Sequence, residues 1–290
     1  MKRPPAVAAL ISAALVFALM AVATKIAAGR LPGAQVAFIR FAIGLASCAL
    51  ARVWVPMRAR NKLGLVMRGA YGGAAVLFYF LAIAHLPVGI ATLLNYTAPV
   101  FTAIYAGLFM GEAIKRATFG ALALTSAGVA LVIAGTAPPG SLALGPWQLV
   151  GLLSAVLSGA AVATIRQVRK TDGSWEVFTA FCVAGAAITL APAVRDWIRP
   201  TPGEWAVLAA VGVTSVIGQL LMTHSLRYVP AAAAGVIIQL TPVTALAIGW
   251  AFLNERIGAL ALGGAALTLA GVSLGTYLAA GRGESDAASD

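Results

Sequence analysis

Charged residues are the scarcest class in this chain. Lys, Arg, Asp and Glu make up 10% of its 290 residues, whereas an average soluble domain has about 25%. Apolar residues make up 61%, so too few polar side chains remain to cover a surface that faces water. This composition excludes a soluble globule and indicates a chain that folds in lipid.

Acidic side chains are rarer still, with nine in the chain and none in the middle of a long apolar run. A divalent-cation site needs clustered carboxylates, and proton-coupled pumps usually bury at least one carboxylate in the membrane. A metal transporter is therefore excluded. Facilitated or weakly coupled movement of a solute is favoured over strong proton coupling.

Groups that would hold a cofactor or carry out catalysis are also missing. The two cysteines, Cys48 and Cys182, lie in separate apolar runs without metal-ligand spacing. The serines have no nearby histidine on the same helical face, and the chain has no HExxH segment. We predict no metal, no cofactor and no enzymatic activity, with an intramembrane enzyme as the alternative from another class of protein.

Basic residues are in excess, and the net charge is +11. No basic stripe carries interleaved aromatic residues, so nucleic acid is excluded as a partner. Nearly all Lys and Arg lie in the connections between apolar runs. With the N-terminus inside, fourteen fall on the inner side and five or six on the outer side, where Lys25 and Arg40 lie. This asymmetry predicts that both termini are cytoplasmic.

What the chain has in abundance is apolar runs of about 20 residues, the length that crosses the hydrocarbon core of a membrane as a helix. They are continuous rather than alternating, which excludes a β-barrel. We predict an all-α membrane protein with ten transmembrane helices and a disordered cytoplasmic tail over 281–290. The runs lie near 5–25, 33–54, 65–85, 89–110, 118–137, 146–167, 175–195, 204–226, 231–253 and 258–280.

The two halves of the chain are related by an internal repeat. Residues 86 to about 135 align without gaps onto 229 to about 278, at a constant offset of 143 residues. We therefore predict two five-helix repeats, 1–140 and 141–280. The matched landmarks are Pro87 and Pro230, Pro99 and Pro242, Glu112 and Glu255, Gly120 and Gly263, and Gly128 and Gly271.

Five helices are an odd number, so the second repeat enters the membrane upside down relative to the first. Inverted repeats are typical of transporters, in which one half rocks against the other around a site at their interface. The expected partners are a small-molecule substrate and membrane lipid. Nothing in the sequence requires a dimer, so a monomer is expected.

The fourth and ninth runs point to the site, because each carries a proline, Pro99 or Pro242. Proline removes a backbone hydrogen bond inside a helix, and unpaired backbone groups are tolerated in a membrane where protein or a wet cavity meets them. Tyr96 and Gln239 are repeat mates, each three residues before its proline. We interpret these segments as kinked and cavity-lining; simple structural kinks are the alternative.

Other polar and aromatic side chains at comparable depth complete the predicted site. Aromatic stripes and isolated serines in membrane helices also serve packing, which is the alternative for each of them. His224 lies near the end of its run and is included because histidine titrates near neutral pH. The predicted cavity residues are Ser12, Phe78, Tyr79, Asn95, Tyr96, Ser158, Gln219, His224 and Gln239.

The chain resembles the drug/metabolite transporter superfamily. Ten runs in an inverted repeat, the prolines of runs four and nine, and the segments Gly111-Glu112 and Asn254-Glu255-Arg256 resemble its EamA-type members. Within that group the chain looks most similar to bacterial exporters of aromatic amino acids. The resemblance implies a bacterial inner-membrane exporter with a central cavity between the halves and alternating access.

The substrate is left open by this resemblance, since members move amino acids, purine-pathway metabolites or drugs. A small neutral metabolite, aromatic or another amino acid, is the first interpretation. A multidrug or purine-type exporter is the alternative. Met222 and Leu240 make the second half more aliphatic than an aromatic-stacking site would require.

Overall fold

A computed structural model describes residues 3–110, 116–136, 145–169, 171–225, 237–238, 240–255 and 257–286. Over these residues the chain is helical, without a strand. The helices are α1 (Arg3–Ala27), α2 (Gly33–Ala51), α3 (Lys62–His85), α4 (Val88–Asn95), α5 (Ala98–Met110), α6 (Arg116–Thr136), α7 (Pro146–Val168), α8 (Ser174–Arg195), α9 (Pro202–Ser225), α10 (Leu240–Phe252) and α11 (Ala259–Asp286).

The helix boundaries follow local signals in the sequence. Asn61 caps α3 by accepting a hydrogen bond from the Gly64 N–H at 2.9 Å. Thr201 and Glu204 form a capping box at the start of α9, since each accepts a hydrogen bond from the other's backbone N–H. Pro202 is the first residue of α9. The N–H at this position has no partner within the helix, so proline costs no hydrogen bond there.

The predicted all-α membrane architecture is confirmed. Each of the ten predicted spans contains helix, and α4 and α5 together form the fourth. Within the described ranges, six helices are long and apolar enough to cross a membrane by length and composition, namely α1, α2, α3, α7, α8 and α9. The remaining spans contain shorter apolar helices.

One predicted boundary needs correction. The tail was expected to begin at 281, but α11 continues to Asp286. Ala, Arg and Glu, which occur in this stretch, favour helix, and a helix that leaves the lipid can continue in water. Disorder of the last residues stays a prediction, and 287–290 lie outside the described residues.

Helix packing follows the repeat. α1 packs along α9, and their repeat mates α7 and α3 pack along each other. The mates α2 and α8 pack together, and so do the mates α6 and α11. Each helix of one repeat thus packs against the other repeat in the way that its mate does, which is the arrangement produced by a pseudo-two-fold axis. The main apolar core lies where the two halves meet.

The contact between α6 and α11 shows the direction of that axis. Gly128 faces Thr268, and one turn earlier on α6 Thr125 faces Gly271, one turn later on α11. Since the residue number falls on one helix as it rises on the other, these mates run antiparallel. The two repeats are therefore inverted.

The connection between α2 and α3 is held by the connection between α7 and α8. The Asp172 carboxylate accepts hydrogen bonds from the backbone N–H groups of Arg60 and Asn61 at 2.7 and 3.0 Å and from the Thr171 hydroxyl. Partial desolvation raises the pKa of Asp172, but these hydrogen bonds outweigh it, and the pKa lies below its ordinary value. We call this end of the bundle the Asp172 end.

Asp172→Asn is expected to lower the thermal unfolding midpoint of the detergent-solubilised protein by about 2–5 °C at neutral pH. Because the folded pKa is lowered, the ionised carboxylate stabilises the fold above the ordinary pKa, and this contribution is lost as the pH falls through the folded pKa. The difference between wild type and variant should therefore shrink in acid. Asp196→Asn, at an exposed position, is the control, and equal effects of both would contradict the prediction.

Candidate functional site

The fourth span is broken rather than kinked. α4 ends at Asn95 and α5 begins at Ala98. Between them the Tyr96 N–H bonds the Thr92 carbonyl at 2.9 Å, which closes the last turn of α4. Pro99 is the second residue of α5, so the expectation of a proline inside a continuous helix is corrected: it lies in a first turn, where its missing N–H is tolerated.

In the ninth span, residues 237–238 are helical and α10 covers Leu240–Phe252, with Pro242 as its third residue. Gln239, predicted to line the cavity, lies outside the described residues. Pro99 thus begins the second segment of an interrupted span, which is the geometry that exposes backbone groups and short polar side chains in the interior of a membrane protein.

Asn95, the last residue of α4, bonds to the other half of the molecule. Its side-chain amide donates to the hydroxyls of Ser154 at 2.9 Å and Ser158 at 3.2 Å, both on α7. Ser154 is fully buried, whereas Asn95 and Ser158 are partly exposed. The amide therefore presents a polar surface where α4 of the first repeat meets α7 of the second.

Tyr79 reaches α4 from α3. Its hydroxyl lies 2.8 Å from the Thr92 hydroxyl, and Thr92 donates its own proton to the Val88 carbonyl at 2.7 Å. Because the Thr92 proton is already used, the Tyr79 O–H is the donor of the bond between them. Tyr79 is buried with its polar tip fixed.

Tyr96 makes the corresponding contact across the repeat boundary. It interacts with the Thr241 side chain of α10, and Thr241 donates to the Ala14 carbonyl of α1 at 3.1 Å. Tyr96 and Tyr79 lie within electrostatic range of each other. The two tyrosines and Asn95 therefore surround one region, at the break in the fourth span and between the halves.

The other predicted site residues do not join this cluster. Ser12 is exposed on the face of α1 that carries the exposed Leu15 and Leu19, so its assignment to the cavity is corrected. Gln219 is buried, and its amide lies 3.4 Å from the Thr223 hydroxyl one turn along α9. His224 is exposed in the last turn of α9, and Phe78 is partly buried on α3.

Thr92 and Thr241 belong to the cluster and were not found from the sequence. A threonine in a membrane helix usually bonds a carbonyl of its own helix, and Thr92 does so. Its second contact, to Tyr79, depends on how α3 and α4 pack. The available signal for Thr241 was its position directly before Pro242.

The end of the bundle opposite the Asp172 end is closed by two charged side chains. Lys25 donates to the carbonyls of Ile83 and Leu86 at 3.0 and 2.8 Å, where α3 ends. Both oxygens of Glu255 accept from the Val88 N–H at 2.9 and 3.0 Å, where α4 begins. We call this the Lys25 end.

Glu255 therefore acts at a helix N-terminus, namely that of α4 in the other repeat. Its burial raises its pKa, although the Val88 N–H and Lys25 oppose the shift. The preceding residue, Asn254, has a φ of 53°, in the left-handed region that Asn and Gly adopt readily. The repeat mate of Asn254 in the sequence is Gly111. Glu112 itself lies outside the described residues.

An all-helical membrane fold of two inverted repeats, with an interrupted span and a polar cluster between them, defines a transporter rather than an enzyme. Residues 4–134 and 145–277 both match the EamA-like transporter family. The chain belongs to this family, within the drug/metabolite transporter superfamily, and is an exporter of small molecules. It is a multi-pass protein of the bacterial inner membrane.

Individual relatives agree with this assignment. The chain is 31% identical to the pseudopaline exporter CntI of Pseudomonas aeruginosa, over 88% of this chain and 90% of that protein. It is 30% identical to a probable terminal-alkyne amino-acid exporter of Streptantibioticus cattleyicolor, over 79% and 80% of the two chains. One crystal structure superposes with a TM-score of 0.66 at 22% identity, covering 97% of this chain and 99% of the other, which supports the fold alone.

Proposed function

We propose that the protein exports small amino-acid-type metabolites, aromatic ones among them, by alternating access around the Asn95–Tyr79–Tyr96 cluster. The observation that carries the proposal is the interrupted fourth span, where Asn95 bonds α7 of the other repeat and Tyr96 interacts with Thr241 of α10. When one repeat rocks against the other, these bonds are the ones that must change. A solute held there would be passed from one side to the other.

The chemistry of the cluster suits an amino acid. Hydroxyls and an amide can bond an ammonium or carboxylate group, and the two tyrosine rings offer apolar surface to a side chain. The relative that is named a probable terminal-alkyne amino-acid exporter supports the same substrate class. In the part of the chain that the structure describes, the carboxylates lie at helix ends or in connections. Their positions support facilitated or weakly coupled export, because proton-coupled pumps usually bury a carboxylate in the membrane.

The orientation is part of the proposal. The inner side receives fourteen of the twenty Lys and Arg residues if the Asp172 end and both termini are cytoplasmic. The Lys25 end then faces outward, and its closure by Lys25 and Glu255 corresponds to a state that is shut toward the outside. We propose a monomer as the working unit, because the cluster is completed within one chain.

Counterflow in proteoliposomes tests the function. We expect vesicles that contain the protein and unlabelled phenylalanine to accumulate labelled phenylalanine faster than protein-free vesicles, with little change when a pH gradient is imposed. Equal rates in both kinds of vesicle, repeated across a panel of neutral amino acids, would rule the proposal out.

Asn95→Leu is expected to reduce this exchange by about 10-fold or more, since it removes a hydrogen-bonding group of the cluster. Ser158→Ala and Ser12→Ala provide a matched pair, because the same atom is removed inside the cluster and on the exposed face of α1. We expect slower exchange in Ser158→Ala and wild-type exchange in Ser12→Ala. A deficit in Ser12→Ala that equals the one in Ser158→Ala would show that the cluster is not the site.

A further inference from the structure

Two arginines are buried in the membrane-spanning part of the first repeat. Arg40 on α2 and Arg68 on α3 are only 4% and 5% exposed. The sequence suggested that Arg40 lies near the outer end of its span and that Arg68 belongs to an inner connection. Both are instead enclosed by protein, because α2 and α3 pack against α8.

Their guanidinium groups lack hydrogen-bond acceptors. Nε and Nη1 of both residues are buried and have no partner. Burying a charge is unfavourable unless it is paired, and buried polar groups in native proteins are almost always bonded. Four unpaired donors on two neighbouring cations are therefore unexplained by the protein itself.

Aromatic rings form the apolar wall of this site. The guanidinium carbon of Arg68 lies 4.4 Å from the centroid of Phe181, and that of Arg40 lies 5.3 Å from the same ring. Arg40 also lies 4.9 Å from the Phe41 centroid. These cation–π contacts hold the cations in place, but a ring face accepts no hydrogen bond of normal strength, so the buried Nε and Nη1 donors stay unpaired.

No carboxylate of the surrounding helices balances the two charges. α2 and α3 contain neither Asp nor Glu. In α8 the first-turn Glu176 accepts from the Arg58 backbone N–H at 3.1 Å. The ionisable groups within electrostatic range of Arg40 include Arg68, a second cation, and Cys182 and Tyr79, both neutral at pH 7 in their ordinary state.

The pair has no counterpart in the second repeat. The repeat mates of Arg40 and Arg68 are Val183 and Val211, so the second repeat forms the corresponding helices with aliphatic residues. The two cations are an asymmetric addition to a symmetric scaffold. Such an addition is expected where a substrate, rather than the scaffold, needs the charge.

A continuous face of α3 connects the pair to the polar cluster. Arg68, Gly72, Ala75 and Tyr79 follow one another at spacings of four, three and four residues and are all buried. A side chain at position 72 would collide with the Arg68 guanidinium, so the absence of a Cβ there makes room for it. At the far end of this face, Tyr79 bonds Thr92 of the cluster.

We propose that Arg40 and Arg68 form an anion subsite that binds a carboxylate of the exported molecule. This inference rests on the proposed function and narrows it: the substrates are carboxylate-bearing metabolites, and a second carboxylate on the same molecule is accepted rather than rejected. Guanidinium groups bind carboxylates through paired N–H donors, and each arginine has two nitrogens, Nε and Nη1, without a partner.

Three probes on one scaffold test the subsite: phenylalaninamide, phenylalanine and N-carboxymethyl-phenylalanine carry zero, one and two carboxylates. In counterflow with the wild type we expect the two acids to exchange about 10- to 100-fold faster than the amide. Arg40→Gln and Arg68→Gln should lower exchange of the acids by that factor and leave exchange of the amide unchanged. Arg52→Gln, at an exposed position beside α2, should keep the wild-type ratio.

Several results would overturn the proposal. Equal exchange of the amide and the two acids by the wild type would overturn it. This measurement uses the wild type alone, so it does not depend on the folding of any variant. So would a loss in the glutamine variants that is equal for all three probes, because that pattern belongs to a structural role. Arg40→Lys and Arg68→Lys keep the charge and should retain a preference for the acids.

A binding measurement separates this inference from the proposed function. N-carboxymethyl-phenylalanine should raise the thermal unfolding midpoint of the purified wild type, and the amide should not. If no probe is exchanged but this carboxylate-dependent shift is present and disappears in Arg68→Gln, the transport proposal fails and the subsite stands. If the shift is absent as well, both fail.

Discussion

Gly271→Ala and Gly128→Ala are each expected to destabilise the protein by about 1–3 kcal/mol, the range found for overpacked cores. A Cβ added at Gly271 would stand 2.6 Å from the backbone nitrogen of Thr125, and one at Gly128 would meet the backbone nitrogen of Thr268 still more closely. Backbone cannot rotate away as a side chain can, so α6 and α11 must separate. Close approach of membrane helices depends on such small residues.

The repeat provides the control for this experiment. Gly120 and Gly263 are mates on the same two helices, and a Cβ added to either meets nothing within 4 Å. Their alanine variants should be neutral or slightly stabilised, since Ala favours helix over Gly. The measurement is the unfolding free energy in a denaturant titration of the purified protein. Equal losses at all four glycines would contradict the inverted contact between α6 and α11.

The second large effect is expected at Glu255. Glu255→Ala leaves the Val88 N–H without its acceptor, which removes the side-chain cap of α4 and should cost about 1–2 kcal/mol. This corresponds to a roughly 5- to 30-fold larger open population at the start of α4. Hydrogen–deuterium exchange of peptides that cover 86–95 measures it. Unchanged exchange in Glu255→Ala would show that this residue does not close the Lys25 end.

Glu255→Gln distinguishes loss of the acceptor from loss of the charge. The pKa of Glu255 is raised, so burial disfavours the carboxylate more than the Val88 N–H and Lys25 favour it. The neutral amide still offers an oxygen to Val88, and we expect Glu255→Gln to remain near the wild type. Because the pKa of Glu255 is raised in the closed state, protonation favours that state. Closure should therefore strengthen, relative to an open state with Glu255 in water, as the pH falls through the raised pKa. Opening in acid would contradict this.

The fold was largely predictable because lipid imposes simple rules. A run such as 62–85 can cross the hydrocarbon core only as a helix, and the match of Gly128 to Gly271 indicated repeated halves. The structure refined the details. Pro99 lies in the first turn of α5 instead of bending one long helix. The missing N–H of proline is tolerated in a first turn, whereas in the middle of a helix it removes a hydrogen bond.

The site was predictable only in part. Asn95, Tyr96 and Ser158 were predicted because polar residues within apolar runs are uncommon in lipid, and the structure brings Asn95 and Ser158 into contact. Ser12 was misplaced because a small hydroxyl can face lipid while bonding locally, so composition does not show its direction. Arg40 was placed at a span end because an arginine can extend toward water, and only packing against α8 shows that it does not.

The sequence by itself determined that this chain spans a membrane, that it consists of two repeats, and that the repeats are inverted, because length, hydropathy and an odd helix count leave no other arrangement. The tertiary structure decided which side chains meet: Tyr96 with Thr241, Glu255 with the N-terminus of α4, and two arginines around Phe181. These contacts join residues from different helices or halves of the chain. Their distances depend on how helices rotate and cross, which hydropathy does not encode.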